Sequence, residues 1–240
     1  MNGLWIALRF LTRIPAPEVD YTDKSLADSV PFYGWVGVII GLLIGGSVTL
    51  LHPPALLGAA ISIVLLQWLS GGLHLDGLAD CADAWVGGRD VGHTLAIMKD
   101  PHIGAMGTAT LICTLLLQFS AVAEIDQHIK FIFVLICTCS FARSAAAWLL
   151  ITTPYVRPNG LGEPLTRASA KLMLIHNSVQ VAILAALAAK IVLISVVSVA
   201  IIFLIGRAAC IKRIGGITGD TLGALIVLAE TLTLCAHALS

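Results

Sequence analysis

Six long apolar blocks leave this chain few ways to fold in water. They run from Phe32 to Leu51, Ala55 to Leu69, Gly104 to Ala123, Phe131 to Thr153, Leu172 to Ile211 and Thr218 to Leu239. A helical crossing of a bilayer takes about 20 apolar residues, and five of the blocks approach that length. The block from Leu172 to Ile211 is 40 residues long, with Lys190 at its middle, and reads as two crossings joined tightly near Lys190. The spacing therefore predicts an all-α integral membrane protein of about seven transmembrane helices, with residues 1–240 forming a single polytopic domain. With 58% of residues hydrophobic and 12% charged, no soluble second domain fits beside the spans. The formal net charge is zero, which gives nucleic acid nothing to bind and leaves the lipid bilayer as the expected surrounding.

Charge fixes the expected orientation. With the N-terminus cytoplasmic, 11 of the 14 Lys and Arg residues fall inside: Arg9, Arg13, Lys24, Arg89, Lys99, Arg157, Arg167, Lys171, Arg207, Lys212 and Arg213. Lys130 and Lys190 fall outside, and Arg143 lies within the fourth span. Positive residues near span ends are retained on the cytoplasmic side, so the split favours this topology. The opening MNGLWIALRFLTRIPAP has too short an apolar core, and too many arginines, for a cleaved signal peptide. Its Leu4, Leu8 and Leu11 stripe, flanked by Arg9 and Arg13, predicts a helix lying at the membrane interface.

The segment GGLHLDGLADCAD, residues 71–83, places Asp76, Asp80 and Asp83 at i, i+4 and i+7. At 3.6 residues per turn those carboxylates share one helical face. Like charges so close repel, and a divalent cation relieves them; hard oxygen ligands suit Mg²⁺, with Mn²⁺ a substitute. Because Mg²⁺ is held by few carboxylates plus substrate phosphates, phosphate chemistry is the expectation. The alternative is a solvated helix face, which the surrounding Leu75, Leu78, Ala79, Ala82 and Trp85 argue against.

An internal echo accompanies the aspartates. Gly71-Gly72 precedes Asp76 and Leu78 with the spacing by which Gly215-Gly216 precedes Asp220 and Leu222. Both copies follow a span running toward the cytoplasm, so the two segments are expected to face each other and Asp220 to join the carboxylate group. Alternatively, the glycine pairs merely end helices and Asp220 caps the next one.

The motifs GGLHLDGLADCADAW, LAIMKDPHIGAMG and GGITGDTLGA resemble the cobalamin synthase family, the adenosylcobinamide-GDP ribazoletransferases. The likeness extends from FLTRIPAP through FYGWVG to the last span, and its one small departure is Cys81 where threonine is common. The resemblance implies a Mg²⁺-dependent, multi-pass enzyme of the bacterial inner membrane with a cytoplasmic-side active site. It would join the corrinoid nucleotide adenosylcobinamide-GDP to α-ribazole or its 5′-phosphate, with release of GMP.

Displacing GMP from a pyrophosphate builds charge on phosphoryl oxygens that metal ions and cations must stabilise. Asp76, Asp80, Asp83 and Asp220 are the expected metal ligands, and His74, Lys99 and Arg89 the expected catalytic residues. Asp100, Arg157, Arg213, Gly72 and Gly216 are expected on the substrate side. His74 is either a base or ligand, or a group that hydrogen-bonds to the ligands. Lys99-Asp100-Pro101 and Arg157-Pro158-Asn159-Gly160 also read as turns.

Arg143 and Glu230 lie inside spans, where a charge costs about 2.5 to 3.5 kcal/mol on insertion scales, so a mutual pair between the fourth and seventh spans is expected. Gly37, Gly41, Gly45 and Gly46 permit close helix packing, within the chain or in a homo-oligomer. The six cysteines, without a Cys-x-x-Cys pair, read as small apolar residues. Two other classes compete with the transferase. A CDP-alcohol phosphotransferase usually carries D-x-x-D-G-x-x-A-R, whose A-R step is absent from DGLADCAD. A transporter would place its acids at mid-membrane rather than at a span end.

Overall fold

The computed structural model describes residues 2–126, 129–157, 160 and 162–240. Among these residues the α-helices run α1 (Asn2–Leu11), α2 (Asp23–Ala27), α3 (Tyr33–Leu51), α4 (Ala55–Ser70), α5 (Leu73–Gly87), α6 (Val91–Ile97), α7 (Ala105–Glu124), α8 (Ile129–Thr152), α9 (Ala170–Ile214) and α10 (Gly219–Ala238). Among the described residues, five helical stretches (23–51, 105–124, 130–152, 170–214 and 219–238) are long and apolar enough to cross a membrane, and α4 and α5, separated by an 89° bend, pass the same test only as a pair, as a broken span or a re-entrant segment. The chain is a multi-pass, all-α membrane protein.

The helix α9 carries the double block. It is 45 residues long, and its helical dihedrals fail at Ala188 (φ −153°, ψ 59°), two residues before the expected joint at Lys190. Its contacts show that the chain reverses there. His176 on the first arm accepts from the Trp35 indole at 3.1 Å, in the first turn of α3. Lys190 reaches the Ser240 carbonyl beyond the far end of α10, and Arg207 on the second arm returns to Thr152 and Thr153 at the end of α8. The double block is thus two helical arms joined at Ala188.

The glycine stripe is used inside the chain. A Cβ on Gly34, Gly37, Gly41 or Gly45 would strike Ser144, Cys139, Ile136 or Ile132 of α8, so the two helices pack through their backbones. The α8 helix also carries Arg143, whose Nη1 donates to Glu230 Oε1 of α10 at 2.7 Å and to the Cys139 carbonyl at 2.9 Å. Both side chains are almost wholly buried, at 0% and 2% exposure, so the expected pair between these spans forms in the bundle core. Deleting one partner alone would strand a buried charge, at a cost of about 3–5 kcal/mol. All six cysteines are free; Cys81, Cys137, Cys139 and Cys210 are buried, Cys235 is half-buried and Cys113 is exposed on α7.

The α1 helix buries Ile6, Ala7, Leu8 and Leu11 and leaves Arg9 exposed, which is the amphipathic arrangement its leucine stripe predicts. It is pinned to the bundle where the Arg13 amide donates to the Leu69 carbonyl at the end of α4.

Candidate active site

The α5 helix runs nearly at right angles to α4, because the chain turns by 89° between them. Gly71 (φ 66°) and Gly72 (φ 74°) supply the left-handed backbone that makes the bend, a conformation side chains resist. The second glycine pair starts the same way, with Gly215 (φ 76°) closing α9. Gly216 serves a different purpose: it passes so close to the Pro154 carbonyl that a Cβ would not fit. There Val156 N donates to Ile217 O (2.9 Å) and Ile217 N to Pro154 O (2.8 Å), a short parallel bridge that ties the loop after α8 to the loop before α10.

These turns bring the two echoed segments into backbone contact. A Cβ on Gly77 would lie 2.6 Å from the Asp220 carbonyl oxygen, so α5 crosses α10 at that glycine. The cap of α10 is not Asp220. Thr218 and Thr221 close a capping box, with the Thr218 amide donating to Thr221 Oγ1 at 2.9 Å and the Thr221 amide to Thr218 Oγ1 at 3.3 Å. The Asp220 carboxylate is thereby left to face Arg157, whose Nη2 stands 2.7 Å from Asp220 Oδ2. The same Nη2 donates to the Met98 carbonyl at 3.1 Å, so Arg157 fastens the α6–α7 connection over the site.

The other aspartates divide. Asp83 accepts from the amides of Gly104 (2.7 Å) and Gly107 (2.8 Å), satisfying free N–H groups in the first turn of α7. Asp76 is exposed and Asp80 half-buried, and among the described residues neither carboxylate has a hydrogen-bonding or ionic partner. Asp80 is pushed up to about 6, first by its own burial and then by the charges of Asp76 and Asp220, against the pull of Arg157. A cation would remove that penalty. No group of three His, Cys, Asp or Glu side chains closes to metal-binding distance among the described residues. Two free carboxylates one turn apart nevertheless suit Mg²⁺, which keeps waters and takes its remaining ligands from phosphate.

His74 is buried, and burial first, then the charge of Arg143, pushes its ring down to about 3, so it is neutral at physiological pH. Its Nε2 has no partner. Arg213 is committed to α5: its Nη2 donates to the carbonyls of Gly88 (2.6 Å), Trp85 (3.0 Å) and Ala84 (3.4 Å), capping that helix's C-terminus with a cation. Arg89 and Lys99 are exposed, and neither side chain contacts the aspartates or lines the cavity beneath α5. Asp100 closes a turn, accepting from the amide and ring of His102 at 3.0 and 2.6 Å, and those bonds, the amide first, hold its carboxyl below the usual range. A Cβ on Gly72 would meet nothing within 4 Å. The turn expected at 157–160 closes by a hydrogen bond from Gly160 N to Arg157 O at 3.2 Å, while Pro158 and Asn159 lie outside the described residues.

Several residues of this end escape a linear reading. Gly77 sits between the aspartates without any polar signal, and Tyr33, together with Tyr155 and Leu165 from the segment after α8, lines a cavity beneath α5. Tyr33 belongs to the FYGWVG motif, which was the available hint.

A helical bundle with acidic and cationic groups gathered at one end, around free carboxylates, defines a polytopic membrane protein equipped to handle phosphates. The comparisons narrow the class: the family described as cobalamin-5-phosphate synthase matches residues 3–238, and the chain belongs to it. A relative from Ectopseudomonas mendocina, named adenosylcobinamide-GDP ribazoletransferase, is 43% identical over 98% of each chain. Proteins of that name from Acinetobacter baumannii (43%, covering 97% of this chain and 95% of the relative) and Pseudomonas syringae (40%, all of both chains) are similar. No solved structure matches.

Proposed function

We propose that the chain is an adenosylcobinamide-GDP ribazoletransferase, performing the nucleotide-loop assembly step of cobalamin synthesis. What carries this reading is the family match from residue 3 to residue 238 to relatives bearing that name. The acceptor is α-ribazole or its 5′-phosphate. Its ribose hydroxyl oxygen attacks the corrin-side phosphorus of the pyrophosphate, the bond from that phosphorus to the bridging oxygen breaks, and GMP leaves with the electron pair. The hydroxyl proton passes to water.

Asp76 and Asp80 would hold a Mg²⁺ ion together with the substrate's phosphates. Such an ion supplies charge neutralisation at the phosphoryl oxygens and the departing phosphate. Arg89 and Lys99 contribute exposed cations, and Arg157, beside Asp220, holds a guanidinium at the cavity mouth. Arginine favours a bidentate grip on phosphate. His74, neutral and far from the pH at which it would exchange a proton, orients groups by hydrogen bonding. Asp83 and Arg213 support the site by fixing the start of α7 and the end of α5.

The site end is cytoplasmic and the membrane is the bacterial inner membrane in this reading, with seven crossings and the N-terminus inside. In a cysteine-free background, a cysteine placed between Arg89 and Lys99 is labelled from the cytoplasmic side and one beside Lys130 from outside. Reversed labelling overturns the orientation. The reaction is tested by supplying purified protein in lipid with a GDP-corrinoid, α-ribazole and Mg²⁺. GMP and a ribazole-linked corrinoid in equal amounts are expected; release of neither refutes the assignment.

A further inference from the structure

Beneath α5 lies a cavity of about 340 Å³, walled by α1, α3, α5, α8, α10 and the segment after α8. Its lining is asymmetric. Asp76, Arg157 and Asp220 stand on one side, while Phe10, Tyr33, Leu150, Leu165 and Ile226 supply apolar surface. Phe10 and Tyr33 stack with ring centroids 6.2 Å apart and 19° between planes, an aromatic pair in the apolar lining.

Two lining residues carry buried polar atoms, Tyr33 Oη and His74 Nε2, the residues being only 2% and 4% exposed. Tyr33 Oη has the Ser29 hydroxyl within hydrogen-bonding reach, although that hydroxyl donates to the Leu26 carbonyl at 2.7 Å, so His74 Nε2 is the atom left wholly unserved. Leaving such an atom unsatisfied costs about 1–3 kcal/mol, a cost that a ligand presenting polar atoms inside the cavity would remove. Size limits the ligand. Drug-sized molecules fill pockets of about 300–1,000 Å³, so this cavity holds one nucleoside and is too small for a corrin macrocycle with its side chains.

We infer that this cavity is the acceptor pocket: the flat bicyclic base of the ribazole packs against the Phe10–Tyr33 pair and Leu165, and its ribose faces Asp76 and Arg157. The inference rests on the transferase reading and adds which partner is enclosed. The corrin stays outside, and only the donor's pyrophosphate approaches the carboxylates. Tyr33 and His74 act as binding groups for the acceptor.

The test measures separate KM values for donor and acceptor in GMP release by the full-length protein in lipid vesicles. Leu165→Phe narrows the apolar end and should raise the α-ribazole KM about tenfold or more, with the donor KM within twofold of the parent. An acceptor with the smaller imidazole base should lose less than threefold in kcat/KM. Tyr33→Phe, a gentler change that keeps the ring, should raise the acceptor KM about three- to tenfold. A rise in donor KM with acceptor KM unchanged assigns the cavity to the donor and overturns the inference while leaving the transferase reading intact. Equal losses with both acceptors also overturn it. No GMP release by the folded parent with any acceptor removes the transferase reading and the inference together.

Discussion

The two glycine-glycine-aspartate segments are spelled alike and end differently. At residues 71–78 a Cβ on Gly72 would meet open space, and Asp76 is exposed without a side-chain partner among the described residues. At residues 215–222 Gly216 lies against Pro154, Thr218 and Thr221 form a capping box, and Asp220 is held at 2.7 Å by Arg157. One spacing thus produces a segment with ligand positions to offer and a segment that is a clamp. The difference lies in neighbours, since the second copy meets the loop after α8 and the first does not. A site needs both, because free carboxylates hold a cation only if the backbone carrying them stays in place.

Asp80→Asn attacks the open copy and should have the largest effect, lowering GMP release about 10²- to 10³-fold with membrane insertion intact. Near-normal turnover in the folded variant would remove Asp80 from the ion's ligands. Gly77→Val attacks the crossing of the two copies. Its side chain meets the Asp220 backbone, which cannot shift cheaply. A loss of about 100-fold in activity is expected, with about 1–3 kcal/mol of stability, read from turnover and thermal unfolding of the same preparation. Asp220→Asn loosens the closed copy, and turnover should drop about tenfold through a less ordered Arg157, as seen in a raised donor KM.

Asp83→Asn should have a small effect, about 1 kcal/mol of stability, because it weakens the cap on α7 while sparing the open copy. Thermal unfolding measures the first change, and a GMP-release rate within about threefold of the parent checks the second. A loss as large as that of Asp80→Asn would return Asp83 to the metal group.

The membrane fold was legible because its causes are local. Apolar length located the helices, the position of Lys190 located the reversal at Ala188 to within two residues, and the cost of burying charge paired Arg143 with Glu230. The meeting of the two glycine segments was legible from their spacing and like direction. The roles of Asp83 and Arg213 were not. Their partners lie 21 to 24 and 125 to 129 residues away, and a carboxylate or guanidinium is spelled the same whether it caps a helix or binds a ligand. The cavity was illegible for a similar reason: its walls come from α1, α3, α8, α10 and the loop after α8, and no short stretch encodes its shape.

The division of labour between the two copies is tested most directly by manganese binding, followed by electron paramagnetic resonance on purified protein in lipid without substrate. Asp76→Asn should weaken Mn²⁺ binding about tenfold or more, and Asp220→Asn by less than about threefold, since Asp220 already serves Arg157. Equal weakening by the two substitutions, or binding lost only in Asp220→Asn, would contradict the account.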